Sequence, residues 1–378
     1  MIIDRRGAPM RIERLGISGY KSIREADIAL GRLNVVIGRN GSGKSNLVSF
    51  FDLLRASIND QSHEFVNRNG GPNSLLFYGP RRTKEIEIRL ELKVNIETDG
   101  RTERIDASVH QRLEFRPPDH LVYSMRPFVP PAGFDPSRVV LYNDRCAIVL
   151  PEGCDRRIGR MIYHDLNENI GVYHFIDTSL ISDIRLAGYV EDNRRLRSDG
   201  GNLAAVLYRL RETEADYYRL IVETIRLFIP FFDDFDLAPN ALDPSRIVLN
   251  WKQKGSDYLF GPHQLSDGSL RAIALTTLLR SPPDEKPGVL VIDEPELGLH
   301  PRAISLVAAT IASTSYDKQI IIATQSPEML DEFDPEDVIC VDREVDETVF
   351  HRPDGESLRD WLEDFSLGRL WIKNVIGG

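Results

Sequence analysis

The chain has 378 residues, 42% hydrophobic and 28% charged, enough for one elaborated soluble domain or two with ample core. Its 58 acidic against 47 basic residues give a net charge of −11, opposite in sign to an extended non-specific nucleic-acid surface, though a local basic groove is not excluded. No run approaches a membrane span, the start Met1-Ile2-Ile3-Asp4-Arg5-Arg6 lacks a secretory apolar stretch, and Cys146, Cys154 and Cys340 show no metal-ligand spacing, so a reducing cytoplasm is expected.

In chain order, residues 12–37 read as short strands. The last, Leu33-Asn34-Val35-Val36-Ile37, runs into Gly38-Arg39-Asn40-Gly41-Ser42-Gly43-Lys44-Ser45 and then Asn46, and a helix is predicted over 44–58 with Leu47, Phe50, Phe51 and Leu54 on one face. Ile86, Ile88, Leu90, Leu92, Val94 and Ile96 alternate as a half-buried strand; Asp99-Gly100 supplies a turn; Ile105, Ala107, Val109, Gln111 and Leu113 alternate back as an antiparallel partner. Pro117-Pro118, Pro127 and Pro130-Pro131 mark a break, followed by short strands at Val139–Tyr142 and Ala147–Leu150. Residues 156–229 read as mainly helical, with Leu203, Val206, Leu207 and Leu210, then Tyr217, Leu220, Ile221, Ile225 and Phe228, as packing stripes. Strands return at Ile247–Trp251 and Tyr258–Phe260. From 266 to 342 helices alternate with buried strands at Val289–Ile292, Ile320–Ala323 and Val338–Val341, and a helix is predicted at Glu356–Phe365. That alternation is a mainly parallel sheet covered by helices. The basic clusters Arg81-Arg82-Thr83-Lys84, Arg156-Arg157 with Arg160, and Arg194-Arg195-Leu196-Arg197 are more often solvated loops than DNA contacts.

Gly38 to Ser45 is a complete phosphate-binding P-loop in the strand–loop–helix context it needs. Glycines let successive N–H groups curl around phosphate oxygens, and the helix N-terminus adds partial positive charge. Lys44 is expected to reach the β- and γ-phosphates of ATP, and the Ser45 hydroxyl to ligate Mg²⁺. Arg39 either adds charge near the phosphates or faces outward. Val289-Leu290-Val291-Ile292-Asp293-Glu294-Pro295 is a buried strand ending in two carboxylates at the edge where parallel sheets bind ligands. Asp293 is expected to share Mg²⁺ with Ser45, and Glu294 to act as general base toward the attacking water. Leu265-Ser266-Asp267-Gly268-Ser269-Leu270-Arg271 opens a helix. Ser266 is a good N-cap, and with Asp267 and the Gly268 backbone it also has the makings of a second phosphate cradle, facing the γ-phosphate held by another subunit.

The order P-loop, Leu-Ser-x-Gly, strand-Asp-Glu resembles ABC-type ATPases. Ile17-Ser18-Gly19-Tyr20-Lys21-Ser22-Ile23 is similar to the opening of the RecF, SMC and OLD-family ATPases. Glu296-Leu297-Gly298-Leu299-His300-Pro301 resembles their D-loop, and Ala323-Thr324-Gln325-Ser326-Pro327-Glu328 their switch segment, with Gln325 where many relatives carry His. The resemblance implies an α/β ABC-type head with an antiparallel β subdomain and a mainly helical insertion. Its halves would be 11–115 and 245–342, with the insertion at 116–244 and a C-terminal strand and helix in 343–378. It further implies ATP and Mg as ligands, a nucleotide-sandwiched homodimer, a catalytic set of Lys44, Glu294 and Gln325, and an approach of Lys21 and Ser22 to the nucleotide. Gln61 is the best candidate for a Q-loop residue. No heptads extend the insertion into a coiled-coil arm. The chain reaches Gly378 soon after its last predicted helix, so a nuclease of the OLD kind is expected to be a separate protein. Two readings remain open: a DNA-associated ATPase in repair or in defence against phage and other foreign DNA, and an ATP-gated scaffold that holds and releases an effector such as a nuclease. No membrane partner is expected.

Overall fold

Six strands form the central sheet, in the order Ile170–Tyr173, Val289–Asp293, Gln319–Thr324, Leu33–Ile37, Val338–Glu344 and Glu347–His351. The first five are parallel and the last is antiparallel to its neighbour. The structure, a computed structural model, describes residues 2–3, 10–98, 101–123, 138–142, 146–175 and 177–377. The turn expected at Asp99-Gly100 and the prolines Pro127 and Pro130-Pro131 lie outside the described residues, as does most of the opening Met1–Arg6.

Strands buried on both faces must be apolar throughout, and Leu33–Ile37 obeys this except at Asn34. Asn34 is fully buried yet satisfied: Oδ1 accepts from Gly31 N and Arg352 Nη2, both at 2.8 Å, while Nδ2 donates to Gly31 O and Ile320 O. Alternation along these strands divides the core. Val36, Val289, Val291, Ile321 and Ala323 face the helix Lys44–Ile58, which presents Leu47, Phe50, Phe51 and Leu54 to them. Val35, Ile37, Leu290, Ile292, Ile320 and Ile322 face the opposite layer, built from helices Leu203–Thr213, Ala215–Phe228, Asp267–Arg280 and Pro301–Thr314.

Behind the Lys44–Ile58 helix lies an eight-stranded antiparallel sheet. Its longest pair is Glu85–Thr98 with Arg101–Arg116, in register Leu90 with Val109, so the two predicted alternations share one buried face. Gln111 on that face accepts from Ser57 Oγ at 2.8 Å. Residues 116–244 join both sheets. Val139–Tyr142 and Cys146–Val149 extend the antiparallel sheet, and Ile170–Tyr173, inside the stretch expected to be mainly helical, is the edge strand of the central sheet. A smaller sheet of Phe232–Asp236, Asn250–Gln253 and Leu259–Phe260 is bound together by a ring stack, with Trp251 and Phe260 centroids 4.6 Å apart. The described residues include no helix long and apolar enough to cross a membrane.

One buried cation sits under the helical layer. Lys286 is 7% exposed and donates to Leu279 O at 2.8 Å. Burial, then the neighbouring Lys318, lowers its pKa from 10.5 to about 8. A lysine neutralised more easily in the folded state opposes folding wherever the unfolded chain keeps its proton. That cost is complete below pH 8 and fades between about 8 and 10.5. Lys286→Met is therefore expected to raise Tm at pH 7, with the gain shrinking as pH rises through that window. Leu279 O retains Thr314 Oγ1 as a donor. A lower Tm at pH 7 would mean that the ammonium's hydrogen bond outweighs its desolvation.

Candidate functional site

The loop between Ile37 and Lys44 has the backbone its glycines predict. Gly41 and Gly43 have φ of 82° and 120°, the left-handed side that glycine adopts freely. A Cβ on Gly43 would also collide with Thr348, and one on Gly38 with Val341 O. Lys44 is buried, and its Nζ donates to Gly38 O at 2.5 Å and Arg39 O at 3.2 Å, curling back across the loop. Burial lowers its pKa, opposed by the nearby carboxylates of Glu294, Asp293 and Glu296. Arg39, Asn40, Gly41 and Ser45 lie at the exposed surface of the loop and the first turn of the helix. Ser42 Oγ is buried with no hydrogen-bond partner.

One rim of this loop is tied to the antiparallel sheet and to the last central strand. Ser22 Oγ meets Thr348 Oγ1 at 2.7 Å and accepts from Asn46 Nδ2 at 2.6 Å, while Thr348 Oγ1 donates to Ser42 O at 2.8 Å. Lys21 Nζ donates to Ser49 Oγ at 2.7 Å, on the helix face one turn beyond Ser45. The Lys21 and Ser22 positions thus border the P-loop. Thr348 was not foreseen, because its bond to the loop joins residues far apart in the sequence.

The other rim carries the acids. Asp293 ends its strand, and Glu294 follows at φ 46°, an uncommon conformation for a side-chain-bearing residue. Gln325 Nε2 donates to Glu294 Oε1 at 2.7 Å, so the expected base and the expected switch residue are in direct contact. Glu296 is buried behind them, accepting from Thr324 Oγ1 at 2.5 Å and Gln325 N at 3.3 Å. Burial raises its pKa, and its second oxygen is buried without a partner.

A histidine absent from the sequence reading completes this rim. Tyr173 pairs with Ile292 in parallel register, so the next residue along each chain segment emerges side by side: His174 next to Asp293. His174 Nε2 lies 3.0 Å from Asp52 Oδ2, and Nδ1 lies 3.6 Å from Asp293 Oδ2. Hydrogen bonding to Asp293 and then Asp52 outweighs burial and raises its pKa from 6.5 to about 9. The only sequence signal was the four-residue run Ile170-Gly171-Val172-Tyr173. Gln61 is not near this site. It precedes the short helix Ser62–Arg68, beyond the far end of the 15-residue P-loop helix and roughly 20 Å from the loop at 1.5 Å per residue.

Ser266 caps the helix Asp267–Arg280, its Oγ accepting from Ser269 N at 3.1 Å, and both Ser266 and Asp267 are exposed. This helix and the P-loop helix lie on opposite faces of the central sheet. Arg185, itself buried, fixes the loop. It donates to Asp267 Oδ1, Leu265 O, Pro262 O and Thr178 O, and its hydrogen bond holds the Asp267 carboxyl below the usual range. Gly268 packs so closely on Gly298 O that any Cβ would collide with it. Arg271, one turn along, donates to Phe175 O at 2.8 Å and Leu297 O at 3.2 Å, beside a small cleft that Asp293 and Glu294 also line. The signature-like loop is thus packed and hydrogen-bonded to the segment 296–301 beside the acidic strand end.

Residues 10–112 match the family model "AAA ATPase domain", and residues 180–331 match "AAA domain, putative AbiEii toxin, Type IV TA system". Among curated proteins, the DNA double-strand break repair Rad50 ATPase of Saccharolobus solfataricus is 25% identical over 91 residues, 23% of this chain and 10% of that protein. The match thus spans about a tenth of that relative's length. Three solved structures bear on the fold. The SmcHead bound to the C-winged helix domain of ScpA has a TM-score of 0.60 at 17% identity, covering 92% of this chain and 99% of that one. The Smc head domain of Pyrococcus furiosus with an extended coiled coil, bound to the C-terminal domain of ScpA, gives 0.56 at 17%, covering 94% and 99%. The Pyrococcus yayanosii Smc head domain with a coiled coil and joint gives 0.58 at 12%, with the same coverage. The fold is that of an ABC-type P-loop ATPase head, and two stretches of the chain match ATPase-domain models.

Proposed function

We propose that this ABC-type ATPase head binds Mg-ATP between the P-loop of one copy and the Ser266–Gly268 loop of a second, hydrolyses it there, and serves DNA repair or defence against foreign DNA. The observation that carries the shared site is the exposed Ser266 helix N-terminus on the sheet face opposite the P-loop helix. A helix start held by Arg185, with Ser266 and Asp267 exposed, suits an anion brought by another molecule.

Within one copy, the loop Gly38–Gly43 cradles the phosphates, and Lys44 turns from its own carbonyls toward the β- and γ-oxygens. The donor set fits magnesium: Ser45 offers a hydroxyl and Asp293 a carboxylate whose side chain is 14% exposed, hard oxygens of the kind that hold this ion alongside phosphates. When bound, Mg²⁺ neutralises charge on the phosphate oxygens. Ser45 and Asp293 would hold it, with His174 and Asp52 steadying the Asp293 carboxylate. Glu294 takes a proton from the attacking water, and the Gln325 amide orients Glu294.

Mixing two inactive variants tests the shared site. Ser266→Arg is expected to block closure while its monomer still binds ATP, and Lys44→Ala to bind ATP only weakly. Heterodimers in the mixture contain one intact composite site, so ATPase activity above either variant alone is expected. Ser266→Arg monomers that no longer bind ATP would place the motif in cis and end the dimer reading. Stimulation of hydrolysis by duplex DNA checks the proposed role, since an effector-holding scaffold has no reason to respond to it.

A further inference from the structure

We infer that a cleft at the edge of the central sheet remote from the P-loop binds a small phosphorylated sugar, its phosphate on Arg194 and Arg195 and its hydroxyls on Asp284 and Asn193. The cleft has a volume of about 380 Å³, within the range of small-molecule sites, and Arg209 and Glu285 complete its walls. Three chain segments meet there, each leading into a central strand. Asp284 and Glu285 precede Val289–Asp293, and Lys318 directly precedes Gln319–Thr324. Arg195 Nη1 donates at 3.0 Å to Glu168 O, at the end of the helix Arg157–Asn169 that runs into Ile170–Tyr173. The nucleotide residues stand at the opposite ends of these strands. A five-residue strand, about 17 Å, separates the two sites.

One wall of the cleft is fixed internally: Arg209 donates to Asn193 O at 2.8 Å and to the Glu285 carboxylate. Arg194 is different. It is exposed and makes no hydrogen bond or ion pair among the described residues. Near Arg195 and Asp284 lies Lys318, which is 2% exposed and whose ammonium also has no such partner among the described residues. Burial lowers its pKa, Arg195 adds to that, and Asp317, Asp284 and Asp165 oppose it. Lys318 in turn depresses the buried Lys286. Cations therefore crowd one strand edge, and an incoming phosphate relieves their mutual repulsion. Guanidinium forks match its oxygens. The remaining wall residues select the rest of the ligand. Asp284 makes no hydrogen bond among the described residues, and Asn193, whose Nδ2 donates to Val190 O at 2.7 Å, has an Oδ1 that accepts none there. A carboxylate and an amide oxygen accept from hydroxyls but repel a bare phosphate, so the two halves of the cleft suit a phosphate ester that carries hydroxyl groups. Two of the three arginines in the Arg194–Arg197 run thus acquire a ligand, while Arg197 is held by Asp199 and Asp183.

The test titrates the full chain with ribose 5-phosphate by calorimetry while saturating Mg-AMP-PNP, a non-hydrolysable ATP analogue, occupies the P-loop. One further site is expected. Arg194→Ala should weaken it by about tenfold or more, the loss for a charged hydrogen bond, and leave AMP-PNP binding unchanged. Asp284→Ala should weaken ribose 5-phosphate yet strengthen inorganic phosphate, because it removes a hydroxyl acceptor and a negative charge together. No binding beyond the P-loop would overturn the site, as would ribose 5-phosphate binding that Arg194→Ala leaves intact. Strengthening of both ligands by Asp284→Ala would reduce the cleft to an unspecific cationic patch and equally overturn it. A wild-type chain that does not bind AMP-PNP would count against the ATPase reading alone, and the Arg194→Ala comparison would still decide the cleft.

Discussion

Glu294→Gln is expected to slow ATP hydrolysis by roughly 10²–10⁴-fold, the usual contribution of a general base, while Mg-ATP still binds. The substitution preserves the side chain's length and its place in the structure. Glu294 N keeps its bond to Ala323 O at 2.8 Å, and an amide oxygen in place of Oε1 still accepts from Gln325. What disappears is the capacity to take a proton. Single-turnover rates measure the chemical step, and light scattering under saturating Mg-ATP measures the closed dimer that the stalled enzyme should accumulate. Wild-type turnover would move the base elsewhere, with Glu296 the next carboxylate along. Glu296 is a poor substitute on physical grounds, since burial favours its protonated form and Thr324 and Gln325 occupy one of its oxygens.

Lys44→Ala should lower ATP affinity by about a hundredfold, as expected for removing a charged hydrogen-bond donor from a site built for anions. Lys44 bonds Gly38 O and Arg39 O and offsets the field of Asp293, Glu294 and Glu296. The variant loses those bonds too, so Tm should fall modestly, and its circular dichroism should stay that of the wild type. Nucleotide titration is the decisive measurement. Hydrolysis at the wild-type rate would remove Lys44 from the site altogether.

The legible parts of this molecule were those whose physics is local. The helix predicted over 44–58 is observed as Lys44–Ile58, because glycine freedom, the phosphate-loop pattern and the apolar stripe all act within a few residues. Val289–Asp293 was equally plain, since a strand buried on both faces must be continuously apolar. Ile170–Tyr173 was missed for the converse reason. Four apolar residues amid helical patterns fit a helix or a strand, and only pairing with Val289–Ile292 decides between them. His174 went unseen with it. Thr348 escaped because its role is to fill the space over Gly43, a contact between residues far apart in sequence. Gln61 failed through distance: the P-loop helix carries it away from the chemistry.

The position of the P-loop strand has a consequence for how the protein is made. Leu33–Ile37 leaves the ribosome long before its two neighbours in the sheet, Gln319–Thr324 and Val338–Glu344. At the ~5–20 residues per second of translation, the nascent strand waits tens of seconds with both hydrogen-bonding edges open. It is apolar and flat during that interval, the kind of segment that pairs with the wrong chain. The antiparallel sheet, whose long hairpin closes locally, can fold meanwhile and shelter the Lys44–Ile58 helix. Nascent chains stalled before residue 319 should therefore engage holdase chaperones, and gain their nucleotide pocket only when those two strands arrive.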